Sequence, residues 1–309
     1  MKKFSIVSGC YNEAGNVEEL VARVAKLVEN FPQYDYEQII IDNASTDGTQ
    51  EILRKLASSN PRLKIILNSR NFGHIRSPYH GMLQASGDAV IYLASDLQEP
   101  PELIPDFIKK WEQGAKAVVG IKSSSAESVI FFAVRRLYYG LVEKLADTKT
   151  IQNFTGFGLY DRAIIDYCKC LRDPYPYFRG LIAEIGLPVE RIAYHQPLRK
   201  RGFTKNNFYT LYDMAMLGIT NFSKVPLRLA TMLGFLTAAL SLLVAVGYLI
   251  YKLLFWQNFA IGTAPMVIGL FFFASVQLFF IGILGEYIGA IHTQVLKRPL
   301  VVEKERINF

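Results

Sequence analysis

The chain has 309 residues, 51% of them hydrophobic and 20% charged, with a formal net charge of +7. That is enough for one large domain plus an appendage, and the apolar residues concentrate in the last third. A basic balance beside long apolar stretches points to anionic headgroups or phosphorylated ligands; no nucleic-acid-binding motif accompanies it, and Cys10, Cys168 and Cys170 form neither an even disulfide framework nor a zinc spacing.

In chain order, Met1, Lys2 and Lys3 precede a strand-like run, Phe4–Val7. It is too short for a signal-peptide core, so the N-terminal domain is expected to stay in the cytoplasm. Strands are predicted at Phe4–Ser8, Gln38–Asp42, Leu63–Leu67, Ala89–Ala94 and Ala117–Ile121. Helical patterns fall between them. Asn16 with Glu19 suggests a capping box for a helix over Val17–Val28, and Asp47 with Gln50 suggests another for Thr49–Ala57. Pro100 and Pro101 suit the first turn of a helix over Glu102–Trp111. Ser123–Ser125 is the one linker-like patch. Alternating strands and helices predict an α/β fold with a mostly parallel sheet covered on both faces. Ligands of such sheets bind at the carboxyl ends of the strands. Four predicted strand ends carry polar clusters there: Tyr11-Asn12-Glu13, Asp42-Asn43, Asn68-Ser69-Arg70-Asn71 and Ser95-Asp96-Leu97-Gln98. The first strand lacks a glycine-rich dinucleotide fingerprint, and no Walker-type loop occurs. The Gly-x-Gly of Thr155–Gly158 lies far from that strand and carries little weight.

Past the soluble part, Leu229–Leu254 holds one charge, Lys252, and a second apolar run from Pro265 to Ile291 holds one acid, Glu286. Some 25 residues at about 1.5 Å each exceed a hydrocarbon core of about 30 Å, so two spans are predicted, at about 229–255 and 265–291. Lys200, Arg201, Lys205, Lys224 and Arg228 precede the first; Lys297, Arg298, Lys304 and Arg306 follow the second. The positive-inside rule then places both termini in the cytoplasm, with Tyr251 and Trp256 as interfacial anchors. The expected organisation is a cytoplasmic domain over 1–225, a two-helix hairpin over 226–292 and a cytoplasmic tail over 293–309. Amphipathic interface helices are expected at about 127–145, which carries Arg135 and Arg136, and at about 206–222.

The segments "YNEAGNVEEL", "DNASTDGTQEIL", "SRNFGHIRSPYHGMLQASGD" and "DLQEPPELIP" resemble the successive motifs of inverting glycosyltransferases of family 2, which have the GT-A nucleotide-sugar-binding fold. "FRGL", "RKRGFTK" and "GITNFSKVPLRL" are similar to segments that precede two C-terminal spans in the polyprenyl-phosphate branch, that of dolichyl-phosphate mannose synthases and bacterial undecaprenyl-phosphate glucosyltransferases. The resemblance implies that Tyr11, Asn12, Glu13, Asp42 and Asn43 hold the base and ribose, and that Arg70 and Asn71 border the nucleotide or its phosphates. It implies that Asp96, with Gln98, holds a Mg²⁺ or Mn²⁺ bridging the donor diphosphate. Arg199 and Lys205 would face diphosphate or lipid phosphate, as would Arg135 and Arg136. The run from Arg199 to Lys205 also fits a solvated charge patch at a membrane surface, and Asp47 has an equal claim to cap a turn.

Three positions depart from that pattern. Ala94 stands two residues before Asp96, where an aspartate is usual; Thr155-Gly156-Phe157 replaces Gly-Asp-Phe, removing a proposed base; and Glu184 replaces a tryptophan after "RGL". A phosphate monoester has a second pKa of about 6 and needs little deprotonation, so a polyprenyl-phosphate acceptor tolerates that loss better than an alcohol. Glu184 is the candidate compensating carboxylate. The expected activity is inverting transfer of a hexose from a nucleotide sugar, such as UDP-glucose, to undecaprenyl phosphate at the cytoplasmic face of the inner membrane. The alternatives are an enzyme acting on a sugar hydroxyl of a lipid-linked glycan, and a non-catalytic lipid-binding scaffold. Expected partners are nucleotide sugar, polyprenyl phosphate and bilayer, not nucleic acid; homo-oligomerisation is left open.

Overall fold

In the computed structural model, residues 1–124, 151–197, 216–220, 223–255 and 263–309 are described. Strands β1 (Lys3–Cys10), β2 (Asp35–Asp42), β3 (Leu63–Asn68) and β4 (Ala89–Tyr92) form a parallel core. Between them run helices α1 (Val17–Val28), α2 (Thr49–Ser59) and α3 (Gly73–Gln84). A 3-10 turn over Pro101–Leu103 leads into α4 (Ile104–Glu112) and β5 (Ala117–Ser124). Within the next described stretch, 151–197, come β6 (Phe154–Asp161), α5 (Arg162–Leu171), α6 (Phe178–Glu184) and β7 (Val189–His195). Helices α7 (Val225–Leu254) and α8 (Thr263–Val295) precede a last strand, β8 (Glu303–Ile307).

The eight strands form one sheet in the order β7-β5-β6-β4-β1-β2-β3-β8. The expected mostly parallel α/β sheet is therefore present, with β6 and β8 running antiparallel to their neighbours. Strands buried on both faces read as continuous apolar runs, and Ile39, Ile40 and Ile41 of β2 are each 0% exposed. Phe4, Ile6, Ala89 and Ile91 face α1 and α4, through Leu20, Val24, Phe107 and Ile108. Val7, Ile39, Ile41 and Val90 face α3 and α5, through Tyr79, Met82, Ile164 and Ile165. The side chains on successive residues alternate between these layers because a strand has period two.

Chain order reverses between β1 and β4, which pair in parallel although β2 and β3 lie on the far side of β1. A crevice opens at such a switch point beyond the carboxyl ends of the strands. Strand β6 runs back along β4, with Gly158 opposite Tyr92, so Thr155 and Gly156 lie beside the loop that leaves β4. Both glycines are required. Gly156 sits at φ +107, and a side chain at Gly158 would run into the Val118 carbonyl.

Several local expectations are corrected. Asn16 precedes α1, but its amide donates to Glu13 Oε2 at 2.5 Å and no side-chain bond caps the helix. At α2 the N-cap is Gly48, in the left-handed region, while Gln50 turns back to Asp42 at 2.7 Å. Ser123 is no linker: it lies in β5 and its hydroxyl donates to the Tyr194 carbonyl at 2.9 Å. Beyond α8, β8 pairs with the β3 edge, a strand the sequence reading did not include.

Helices α7 and α8 are apolar over lengths sufficient to cross a bilayer, and none of the windows that define them is buried against protein. Met232, Phe235, Leu236, Leu243, Leu270 and Leu278 are each more than 60% exposed. A soluble core helix would bury such side chains, so this surface marks association with a membrane. The interface helix expected at 127–145 lies outside the described residues, as does that at 206–222 except for a helical stretch at 216–220.

Candidate active site

The loops after β1 and β2 are laced into one platform. The Asn12 N–H donates to Ser45 Oγ at 2.7 Å, and Asn12 Oδ1 accepts from the Thr46 N–H at 2.8 Å. The Glu13 N–H donates to Thr49 Oγ1 at 3.1 Å, and the Ala14 N–H to Asp47 Oδ2 at 3.2 Å. Asp42, 0% exposed, accepts from the Ser45 N–H at 3.0 Å, from the Ser45 hydroxyl, and from Gln50 Nε2 at 2.7 Å. Asn12 (φ 55) and Ala44 (φ 62) are left-handed, a conformation that costs roughly 1–2 kcal/mol for a residue with a Cβ. The surrounding hydrogen bonds over-determine these loops, the setting in which such strain persists.

Asn43 ties this platform to the loop after β3. Its Nδ2 donates to Asn71 Oδ1 at 2.8 Å, and its Oδ1 accepts from the Phe72 N–H at 2.8 Å and from Asn68 Nδ2 at 3.2 Å. Arg70 is exposed, folds over the Phe72 ring at 4.0 Å and donates to the Asn71 carbonyl at 3.0 Å. Asp42 and Asn43 are thus interior organisers of the loops, whereas Tyr11, Asn12 and Glu13 are half-buried and Arg70 and Asn71 lie at the surface of the crevice.

Across the crevice, the loop after β4 carries Asp96. Its Oδ1 accepts from the Gln98 N–H at 3.1 Å, and the intervening Leu97 is left-handed at φ 58. At the end of this loop stands Glu99, a residue that sequence reasoning passed over. It is 5% exposed and uses both carboxylate oxygens: Oε2 accepts from the Ala94 N–H at 2.7 Å and Oε1 from the Thr155 hydroxyl at 2.7 Å. Burial pushes its pKa up to about 7. The Thr155 and Ala94 hydrogen bonds and Arg179 oppose that rise, while neighbouring Asp96 adds to it. One carboxylate therefore contacts both places where the family's acids are missing: the backbone of Ala94, and Thr155 beside Gly156.

Beside Glu99 is a pocket between α3, β6 and the start of α6, lined by His74, Tyr92, Thr155, Gly156, Tyr177 and Arg179 among others. Glu184 is exposed at the opposite end of α6 and does not line it. Arg135, Arg136, Arg199 and Lys205 lie outside the described residues. Glu99 and Arg179 sit inside "DLQEPPELIP" and "FRGL"; a glutamate before two prolines reads as a surface loop residue, and nothing local to either motif signals that these side chains turn inward.

The donor set at the loop after β4 is hard oxygen throughout: the Asp96 carboxylate and the Gln98 amide. Ala94 adds nothing, and among the described residues no three His, Cys, Asp or Glu side chains gather to hold an ion by themselves. This fits a Mg²⁺ or Mn²⁺ ion whose coordination is completed by phosphate oxygens and water.

The profile described as glycosyl transferase family 2 matches residues 5–168. The chain is 33% identical over 307 residues to the SfII prophage-derived bactoprenol glucosyl transferase of Shigella flexneri, covering 98% of each protein. It is 32% identical over 301 residues to an uncharacterized glycosyltransferase, YkcC, of Bacillus subtilis, covering 97% of this chain and 93% of that one. A prophage bactoprenol glucosyl transferase homolog of Escherichia coli is 30% identical over 306 residues, with 98% of both covered. A family profile spanning the strand-end loops just described, together with relatives matched almost end to end, makes this chain a member of glycosyltransferase family 2.

Proposed function

We propose that the chain transfers a hexose from a nucleotide sugar, UDP-glucose or a close relative, to a polyprenyl phosphate, undecaprenyl phosphate in particular, at the cytoplasmic face of the inner membrane. One observation carries the reading: relatives named for glucosyl transfer to bactoprenol, a polyprenol, match 98% of the chain, membrane helices included. In this reading Tyr11, Asn12 and Glu13 meet the base and ribose, and Asp42 and Asn43 hold those loops in shape. Arg70 and Asn71 border the donor phosphates. Arg135, Arg136, Arg199 and Lys205 add cationic contacts to diphosphate or lipid phosphate.

The reaction is an in-line displacement. A phosphate oxygen of the acceptor forms a bond to the anomeric carbon as the bond to the nucleotide diphosphate breaks, inverting that carbon. An acceptor with a second pKa of about 6 is already largely dianionic near neutral pH, so no general base is required. That agrees with glycine at position 156. A divalent ion held by Asp96 and Gln98 would neutralise charge on the leaving diphosphate. The chain's own task is to orient donor and acceptor in a site that does not reorganise during reaction. In this reading Glu99 braces the Asp96 loop against β6 and compensates for the missing acids, a role for which it is better placed than Glu184.

The test combines purified chain, undecaprenyl phosphate, Mg²⁺ and a panel of radiolabelled nucleotide sugars. The expected result is label in the lipid phase with one donor, abolished by Asp96→Ala. Silence with every donor, or full activity in the Asp96→Ala variant, would overturn the proposal.

A further inference from the structure

We propose that Arg179 holds the phosphate of the acceptor lipid, in the pocket between α3, β6 and α6, and that the lipid reaches it along α8. This rests on the acceptor class proposed above and adds the residue and the route.

Arg179 is half-buried at the start of α6, and among the described residues nothing accepts a hydrogen bond from it. A guanidinium offers five donors in a fixed fork, and none of them is taken up by a described residue. Two other arginines around the crevice are engaged: Arg70 with the Asn71 carbonyl, Arg76 with the Pro299 carbonyl at 2.6 Å. Arg179 instead lines the pocket, and its field reaches Glu99, Tyr92 and His74. A planar fork in such a place matches a phosphate, which it can grip with two parallel hydrogen bonds.

Gly156 explains why the fork is left available. A Cβ there would meet only Tyr92, at 3.5 Å, but the backbone at φ +107 keeps the position as glycine. A carboxylate at this position would share the pocket with Arg179, neutralise it and repel a dianion. Glycine leaves the guanidinium to the ligand. Opposite it, Ile75, Pro78 and Met82 give the pocket an apolar wall suited to the first isoprene unit behind a phosphate.

The route follows from the segment leading into α6. Pro176 and Tyr177 line the Arg179 pocket, while Tyr175 lines a second, open groove with Thr220 and with Glu286, Gly289, Ala290 and Thr293 of α8. Gln294 of α8 donates to Asp173 at 2.9 Å, fixing this segment to the end of the helix. A chain lying in the bilayer against α8 would therefore end at Tyr175, with its phosphate next to Arg179.

The test uses the full chain in detergent, wild type and Arg179→Gln. With donor saturating, the variant should raise the KM for undecaprenyl phosphate by about tenfold or more, the scale of one lost charge-assisted contact. Its donor KM should stay within about twofold, and Arg179→Lys should recover only part of the loss, since it keeps the charge without the fork. An unchanged acceptor KM overturns the assignment; an equal rise in donor KM moves Arg179 to the donor diphosphate and overturns it as well. A second arm needs no turnover: dimethylallyl phosphate is titrated into both proteins by calorimetry without donor. Binding to wild type that Arg179→Gln abolishes supports the site even if no polyprenyl phosphate is ever loaded, in which case the proposed function falls and the phosphate site stands. Absent or equal binding in the two proteins overturns it.

Discussion

Two buried glutamates meet opposite fates at the two ends of the sheet. Glu99 is held by one N–H and one hydroxyl with Asp96 close by, and its pKa rises to about 7. Glu37, beneath the amino end of β1, is also desolvated. Hydrogen bonds from Lys64, Ser5, the Ser86 N–H and Lys3 outweigh that burial and hold its pKa at about 2. For Glu37 the native pKa lies below the ordinary 4.5, so the native state binds its proton less tightly than the unfolded chain does. Its contribution, on the order of 3 kcal/mol, is complete above about pH 4.5 and disappears as pH falls towards 2. The acid limb of a thermal-unfolding series in detergent should therefore be steeper for wild type than for Glu37→Gln; coincident limbs would refute the assignment. At Glu99 the consequence is positional. Glu99→Ala frees the Ala94 N–H and the Thr155 hydroxyl together and should loosen the loop that presents Asp96. The Mg²⁺ concentration for half-maximal transfer should rise by about tenfold, equivalent to about 1.4 kcal/mol, with a smaller rise for Thr155→Val, which removes one of the two bonds. An unchanged metal requirement in Glu99→Ala would show that the brace is dispensable.

The last strand shows what a short element can contribute. β8 pairs antiparallel with β3 and covers an edge that would otherwise expose unpaired backbone groups. Arg54 pairs with Glu305 at 2.8 Å, but both side chains are more than a third exposed, so solvent screens the pair and it adds little. Asn308 does more: its Nδ2 lies within hydrogen-bonding distance of the carbonyls of Ala57, Asn60 and Leu63, which close the end of α2 and the start of β3. Asn308→Ala should cost about 1–2 kcal/mol and Glu305→Ala clearly less, read as shifts in the midpoint of chemical unfolding; the reverse order would overturn this account. This strand was illegible in the sequence, because "EKERI" alternates charges on an edge and reads as a polar tail. β6 was missed because Gly156 and Gly158 depress strand propensity, although both are needed where they stand. β7 has a largely exposed, polar pattern at the other edge. The five predicted strands were the ones whose apolar runs are buried on both faces, and their ends lie within three residues of the observed ends. The candidate site was legible where a short motif ends a strand, as at the loop carrying Asp96 and Gln98. It was illegible where the candidate site is completed by segments brought in from elsewhere in the chain, as with Thr155 and Arg179.

At the scale of the whole molecule, that same strand constrains how the chain meets the bilayer. The polypeptide leaves the sheet at β7, passes through α7 and α8, and returns to the sheet at β8. A sheet cannot be divided by a membrane, so the number of crossings between β7 and β8 must be even. Helices of 30 and 33 residues extend to about 45–50 Å at 1.5 Å per residue, beyond a hydrocarbon core of about 30 Å. One crossing each is the natural count, with the helix ends projecting from the core. The end of α8 is tied back to the rest of the chain, since the buried Tyr287 hydroxyl donates to the Ser223 carbonyl at 2.6 Å and Gln294 reaches Asp173. We therefore expect the connection over 256–262 to lie across the membrane from the sheet. Cys10 and Cys168 are buried and Cys170 is exposed on the soluble domain, which supplies an internal control. In spheroplasts treated with a membrane-impermeant maleimide, Cys170 should react only after permeabilisation. Asn258→Cys, in a Cys170→Ser background, should react without it. If position 258 also required permeabilisation, α7 and α8 would lie along the cytoplasmic surface, and the acceptor could not approach Arg179 from between the leaflets along α8.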